Sequence, residues 1–370
     1  MVICYMCNKE IDKENTTSEH ILLNSIGGRL KSTKLICKSC NSKFGNTIDS
    51  QLSEQLNFFA NVLMIKRDRG TPPPVLMENE STGEKFYVNH QGKPRAAKPI
   101  VEQNKVEEGI QLNIHARDMQ EARQILTGLK RKYQNIDTEE VLGSAKVIQK
   151  PIDEYLTIKL VIGGNESLPA LLKMAINYYV EQTGDIKSVE DAIEDLKNND
   201  PARVDSIILE ERLFALESKE VTHSIFINGD KESGRLYAII ELYNVVQFIV
   251  RLSSKYNGED FEDLYVYDLL DGTEKSKIPI NIPDFDYIFG FSFPSSTPDF
   301  AIMQKAIERC LGIATQRQRS YFQNKIIKDS WTATIDKMIP KGSIITEEAT
   351  EAFTNELMSK LQPYIMRIME

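Results

Sequence analysis

This chain has no excess of positive charge, and histidine and tryptophan are scarce. A formal net charge of −9 over 370 residues excludes a uniformly basic nucleic-acid coat. Long apolar runs are missing too. No stretch approaches the length of a membrane span. The opening MVICYMCNKE lacks the basic segment and apolar run of a signal peptide. A cytoplasmic protein with no membrane contact is therefore expected. There is no GxxxxGK loop ending in Ser or Thr, and no dinucleotide fingerprint between a strand and a helix, so no ATP-driven step is expected. Internal repeats and long low-complexity tracts are absent as well.

What is present is the composition of an ordinary globular protein, 41% hydrophobic and 27% charged, with enough apolar material for a real core. The length suggests two or three domains. Charge is unevenly spread. Residues 1–70 carry ten Lys/Arg against seven Asp/Glu, which leaves −12 for the remainder. A balance of +3 is ordinary variation taken alone, yet a local basic surface can bind phosphate on an acidic protein.

Residues 1–50 read as a compact, turn-rich module. A helix begins near Ser39 and runs on, with a break, through LSEQLNFFANVLMIK, where Leu52, Leu56, Phe59 and Leu63 keep helical spacing. Gly70-Thr71-Pro72-Pro73-Pro74 cannot continue a helix and marks a linker. Short strands are expected at EKFYVNH and GIQLNIHA, a helix at 118–134, a strand at EYLTIKLVIGG and a helix at LPALLKMAINYYVEQTG. The charged segment 188–216 reads as helix. From Val221 to Leu252 an antiparallel hairpin or meander is expected, and helices return after Thr297. The fold class is thus α+β. The domains are 1–70 and 71–370, the second divided near 216–220.

Four of the five cysteines lie in the first forty residues, as Cys4-x-x-Cys7 and Cys37-x-x-Cys40 with 29 residues between the pairs. Each pair lets a tight turn aim two sulfurs at one ion, and two pairs complete a closed Cys4 site of the kind structural zinc prefers. Such a site holds a small module together and leaves no position for substrate. Cys310 stands alone and reads as a buried apolar residue.

Between the pairs lies Ser18-Glu19-His20-Ile21, followed by Gly27-Gly28, and Asn41 stands directly after Cys40. This arrangement resembles the zinc-containing HNH endonucleases of the ββα-metal superfamily, over about residues 1–50. The resemblance implies that His20 is the general base taking a proton from the attacking water. It implies that Glu19 and Asn41 bind a catalytic divalent ion, Mg²⁺ or Mn²⁺. The implied reaction is hydrolysis of DNA phosphodiester bonds. Oxygen ligands suit a hard divalent ion, and thiolates do not. The chain departs from the family at two places. Glu19 stands where Asp is commoner, and the family's central Asn falls near Ser32 or Thr33. A backbone carbonyl is then expected to orient His20.

The glycine pair permits a sharp turn and close approach of backbone to phosphate. Arg29, Lys38 and Lys43, with Lys31 and Lys34, surround the site in sequence as candidate phosphate contacts. Asn46 and Asp49 read as helix-surface residues, with auxiliary metal ligation as the other use. His90, His115 and His223 have no partner motif and read as ordinary. The aromatic segment Phe285–Phe293 reads as a buried strand, with base stacking as the other use. Two functions compete. One is a DNA endonuclease serving defence against foreign DNA, its target choice or control lying in the C-terminal region, with homo-oligomerisation and a small-molecule or nucleotide activator as further expectations. The other is a non-catalytic zinc DNA-binding module on an interaction or ligand-sensing scaffold.

Overall fold

The structure is a computed structural model that describes residues 2–106, 109–146, 155–209, 212–217, 219–276, 278–281 and 297–369. The chain divides into two compact units, residues 1–304 and 305–370. Among the described residues no helix is long and apolar enough to cross a membrane.

The first unit opens with a two-residue hairpin, β1 (Glu19–His20) against β2 (Lys31–Ser32), with Glu19 opposite Ser32 and His20 opposite Lys31. Helices α1 (Lys38–Gly45) and α2 (Ile48–Val62) follow. The break between them is where the Asn46 and Thr47 amides turn back onto the carbonyls of Lys43 and Phe44. Leu52, Leu56 and Phe59 form the buried stripe of α2, as the spacing predicted.

An excursion of small strands comes next. Strands β3 (Val75–Asn79), β4 (Lys85–Val88) and β5 (Pro94–Ala96) form an antiparallel sheet, and β6 (Ile100–Val106) pairs with β7 (Gly109–His115) as a hairpin. Helices α3 (Met119–Lys130) and α4 (Thr138–Gly143) follow, each capped by an aspartate, Asp118 and Asp137. The strand expected at EYLTIKLVIGG shrinks to β8, Leu156–Thr157, at the edge of β3. Beyond it a side chain takes over the pairing. The Gln55 amide donates to the Gly163 carbonyl and accepts from its N–H, both at 2.9 Å, so the chain docks on α2 instead of on a strand.

The core of this unit is α5 (Leu168–Thr183) lying on a six-stranded antiparallel sheet. The strand order is β14 (Thr273–Lys275), β13 (Phe261–Asp268), β10 (Thr222–Asp230), β11 (Arg235–Leu242), β12 (Val246–Ser253), β9 (Val204–Ile207). One face carries Phe226, Ile239, Ile249 and Val266, covered by Leu209, Leu213 and Phe214. The opposite face meets α5, where the Tyr178 ring lies 6.4 Å from that of Tyr265 and its hydroxyl donates to Asp263 at 2.7 Å. Burial on both faces explains why RLYAIIELYNVVQFIVRL is nearly continuously apolar in an antiparallel sheet.

The expected helix over 188–216 is corrected. Among the described residues of this segment only α6 (Glu190–Lys197) is α-helical, after a short 3-10 turn. Asn199 adopts a left-handed conformation, φ 54°, Pro201 follows, and the chain re-emerges as edge strand β9. Strands β13 and β14 escaped the sequence pattern. The aromatic segment 285–293 lies outside the described residues.

The second unit takes up most of the long helix Thr297–Ala333 and the helix Glu347–Met369, as expected after Thr297. Trp331 packs edge-on against Phe353, with ring centroids 5.7 Å apart, and donates to Asp336. Cys310 is buried.

Candidate active site

The four N-terminal cysteines converge, with all four Sγ atoms within 4.8 Å of one another. The first pair sits on a tight turn. Asn8, left-handed at φ 58°, donates its N–H to the Cys4 carbonyl at 2.8 Å, and Cys4 donates to Lys9. The second pair starts α1, where the Asn41 N–H reaches the Cys37 carbonyl at 3.0 Å. These thiols are positioned to bind a metal ion. Four soft sulfur donors on two short turns fit zinc and suit a structural role.

Glu19, His20 and Asn41 come from β1 and α1, and all three line one cavity of ≈600 Å³. Asn24, Asp49, Glu54, Arg67 and Lys173 share its wall. His20 sits opposite Lys31 on the hairpin, and its Nε2 lies 3.3 Å from Asp68 Oδ2. Asp68 is also held by Lys31 at 2.7 Å and by Arg29. The Lys31 ammonium, with help from His20 and Arg29, keeps the Asp68 carboxyl down at about 2. Asp68 is therefore a carboxylate that accepts a hydrogen bond from Nε2–H. That tautomer leaves Nδ1 with its lone pair free to act as a base. Burial lowers the His20 pKa, against the opposing pull of Asp68, so the imidazole is neutral at neutral pH. A side-chain carboxylate thus takes the orienting role that had been expected of a backbone carbonyl. Sequence gave no signal for it, because Asp68 is 48 residues away among the basic residues before the proline linker.

Glu19 is buried and does not stand alone. Its Oε1 accepts from Lys173 Nζ at 2.7 Å and from Asn177 Nδ2 at 3.1 Å. Lys173 Nζ also donates to Asp49 Oδ2 at 2.6 Å and lies 5.5 Å from the centre of the Phe44 ring. Lys173 is fully buried in the middle of α5. Burial works against its charge, but Asp49 and Glu19 more than offset this and its pKa rises. Burial raises the Glu19 carboxyl, which Lys173 holds back. Asp49, read from sequence as a helix-surface residue, is buried in this cluster. The cue that could have found it was the lysine inside the apolar run LPALLKMAINYYV.

Several oxygens at the cavity are left over, Asp49 Oδ1 among them. Among the described residues, Glu19 Oε2 has no hydrogen-bond partner. Asn41 donates its amide Nδ2 to Thr17 Oγ1 at 3.2 Å, which leaves its Oδ1 similarly without one. An open carboxylate oxygen and an open amide oxygen on one cavity wall fit a hard divalent cation.

The candidate phosphate contacts divide. Lys38 and Lys43 are exposed on α1, and Arg29 is tied to Asp68 and to the Lys66 carbonyl at 3.0 Å. None of the three lines the cavity, whereas Arg67 does, and its buried Nε has no hydrogen-bond partner. Gly27 and Gly28 are buried and serve packing. A Cβ on Gly28 would stand 2.2 Å from the Leu22 carbonyl oxygen, and Gly27 has φ +103°.

The module is tied to the sheet through His223 and Tyr243. His223 Nε2 lies 2.9 Å from the Ile26 carbonyl, and its Nδ1 accepts the Tyr243 N–H at 3.1 Å. The Tyr243 hydroxyl donates to the same Ile26 carbonyl at 3.0 Å, and its ring stacks on Phe59 of α2.

Comparison with known proteins agrees with this geometry at the N-terminus. Residues 4–57 match the family model described as HNH endonuclease. No curated protein and no solved structure matches the chain.

Proposed function

We propose that this chain is a metal-dependent endonuclease that hydrolyses phosphodiester bonds in DNA, with His20 as general base. The observation that carries the proposal is the shared cavity of Glu19, His20 and Asn41, with Asp68 behind His20. The family match over 4–57 supports it, since that segment contains all three cavity residues.

In this reading the Asp68 carboxylate holds the imidazole by Nε2, and Nδ1 takes a proton from water attacking phosphorus. Glu19 and Asn41 would hold Mg²⁺ or Mn²⁺. When bound, that ion neutralises charge on the scissile phosphate and the leaving oxygen. Arg67 contacts the phosphate from the cavity wall. The four-cysteine site would hold zinc, which would keep the hairpin and α1 in register.

The test is nicking of supercoiled plasmid by zinc-loaded protein with Mg²⁺ or Mn²⁺. His20→Ala should lower the rate by about 10²- to 10⁴-fold with zinc content unchanged. Equal cleavage by the variant would remove His20 from the chemistry. Binding of DNA without any cleavage would instead favour a zinc DNA-binding module. Single-stranded DNA, modified DNA and RNA in the same assay define the substrate.

A further inference from the structure

Lys173 and Asn177 lie on α5, more than one hundred residues beyond the segment that matches the nuclease family. They stand four apart, so they project from one stripe of the helix. Both reach the same atom, Glu19 Oε1, at 2.7 and 3.1 Å. Every residue of α5 from Pro169 to Val180 is buried, and the others in that run include Leu171, Leu172, Met174 and Ile176. A buried lysine there is costly unless paired, and an apolar residue of similar length would serve a merely structural core as well.

The geometry points to a role for this pair in the site itself. We infer that Lys173 and Asn177 are positioning residues of the nuclease site, pinning Oε1 of Glu19 so that Oε2 is presented to the divalent ion. The inference rests on the nuclease reading above.

Three observations support it. First, β1 is only two residues long and cannot by itself fix the χ angles of a glutamate. The added methylene of glutamate, relative to aspartate, makes a second anchor necessary. Second, the anchor is itself oriented. The Tyr5 hydroxyl donates to Asn177 Oδ1 at 2.6 Å, so the amide nitrogen of Asn177 must face Glu19. Tyr5 adjoins Cys4 and donates its N–H to the Leu35 carbonyl, so the clamp is braced by the cysteine turns. Third, Lys173 is held from its far side by Asp49 at 2.6 Å, which fixes the ammonium as well as the carboxylate. The site is then assembled from two distant stretches of chain, and the helix packed on the sheet sets the position of a metal ligand.

The experiment uses the full-length, zinc-loaded chain and reads Mn²⁺ binding directly, by the electron paramagnetic resonance signal of free Mn²⁺ during titration. Lys173→Met should weaken Mn²⁺ binding by about 10- to 100-fold, the range expected when a group supporting a metal ligand is removed. Asn177→Ser, which leaves the Lys173 pairs intact, should weaken it by a smaller factor. His20→Ala should retain wild-type Mn²⁺ affinity. In plasmid nicking, the Mn²⁺ concentration for half-maximal rate should rise for Lys173→Met, and the rate at saturating Mn²⁺ should recover toward wild type. Zinc content and thermal melting verify folding. A folded Lys173→Met protein that binds Mn²⁺ as tightly as wild type, or more tightly, overturns the inference; tighter binding would make the ammonium a competitor of the ion. If Lys173→Met does not fold, Asn177→Ser decides, and unchanged Mn²⁺ affinity in it overturns the inference. Unimpaired nicking by His20→Ala would instead strike the role of His20 as general base, and absence of nicking by the wild type would strike the nuclease reading, whatever the Mn²⁺ titrations give.

Discussion

Acidification should destabilise the protein through one imidazole, His223. This side chain is fully buried between the N-terminal module and the six-stranded sheet. Nε2–H donates to the Ile26 carbonyl and Nδ1 accepts from the Tyr243 N–H, so both ring nitrogens are satisfied only in the neutral form. A second proton would go to Nδ1 and face an N–H. Burial drives the pKa from 6.5 to about 4. An exposed histidine in the unfolded chain titrates near its ordinary value. Between about pH 6.5 and about pH 4 the unfolded chain therefore binds a proton that the folded chain does not. Stability is complete above that window and falls as pH falls through it. The gap down to about 4 is worth about 3 kcal/mol in all, of which about 2 kcal/mol is lost by pH 5. The assay is urea unfolding of wild type and His223→Gln at pH 7.5 and pH 5. Glutamine keeps a donor for Ile26 and cannot titrate. Acid effects on the cysteine site are common to both proteins and cancel in the comparison. Wild type should lose about 2 kcal/mol more than the variant over this range. An equal loss in both would refute the assignment of the acid sensitivity to His223.

Two further outcomes follow from the site. Asp68→Asn should lower the nicking rate by about 10- to 100-fold, because the imidazole loses the carboxylate that fixes its tautomer, and rates at a series of pH values measure this. Gly28→Ala should destabilise the protein by at least about 2 kcal/mol, read by chemical denaturation, because its Cβ would press on the Leu22 backbone, which cannot give way as a side chain would.

Several parts of this protein were legible before any coordinates. The two CxxC pairs specify a metal knot because short spacings between thiols dictate local turns, and the turns are there, with four sulfurs together. The stripe of Leu52, Leu56 and Phe59 gave α2, and the turn-flanked apolar run gave β10 to β12, since local periodicity reports which faces are buried. Glu19, His20 and Asn41 could be named from motif alone, and they do share one cavity. Elements whose pairing is set from afar were not legible. The segment 158–163 has strand-like composition, yet the Gln55 side chain captures it at Gly163.

The site shows the same division. Sequence by itself determined the types of chemical group at the N-terminus: four thiols, an imidazole, a carboxylate and an amide. Only the tertiary structure decided how those groups are held. Asp68 lies 48 residues beyond His20, and Lys173 lies 154 residues beyond Glu19. No local pattern encodes such partners, because a hydrogen bond between distant residues depends on where α5 packs and not on spacing along the chain. Folding turned Lys173, an outlier in an apolar helix, into the cation that fixes Glu19, and turned Asp49 from a residue on a helix into the other arm of that clamp.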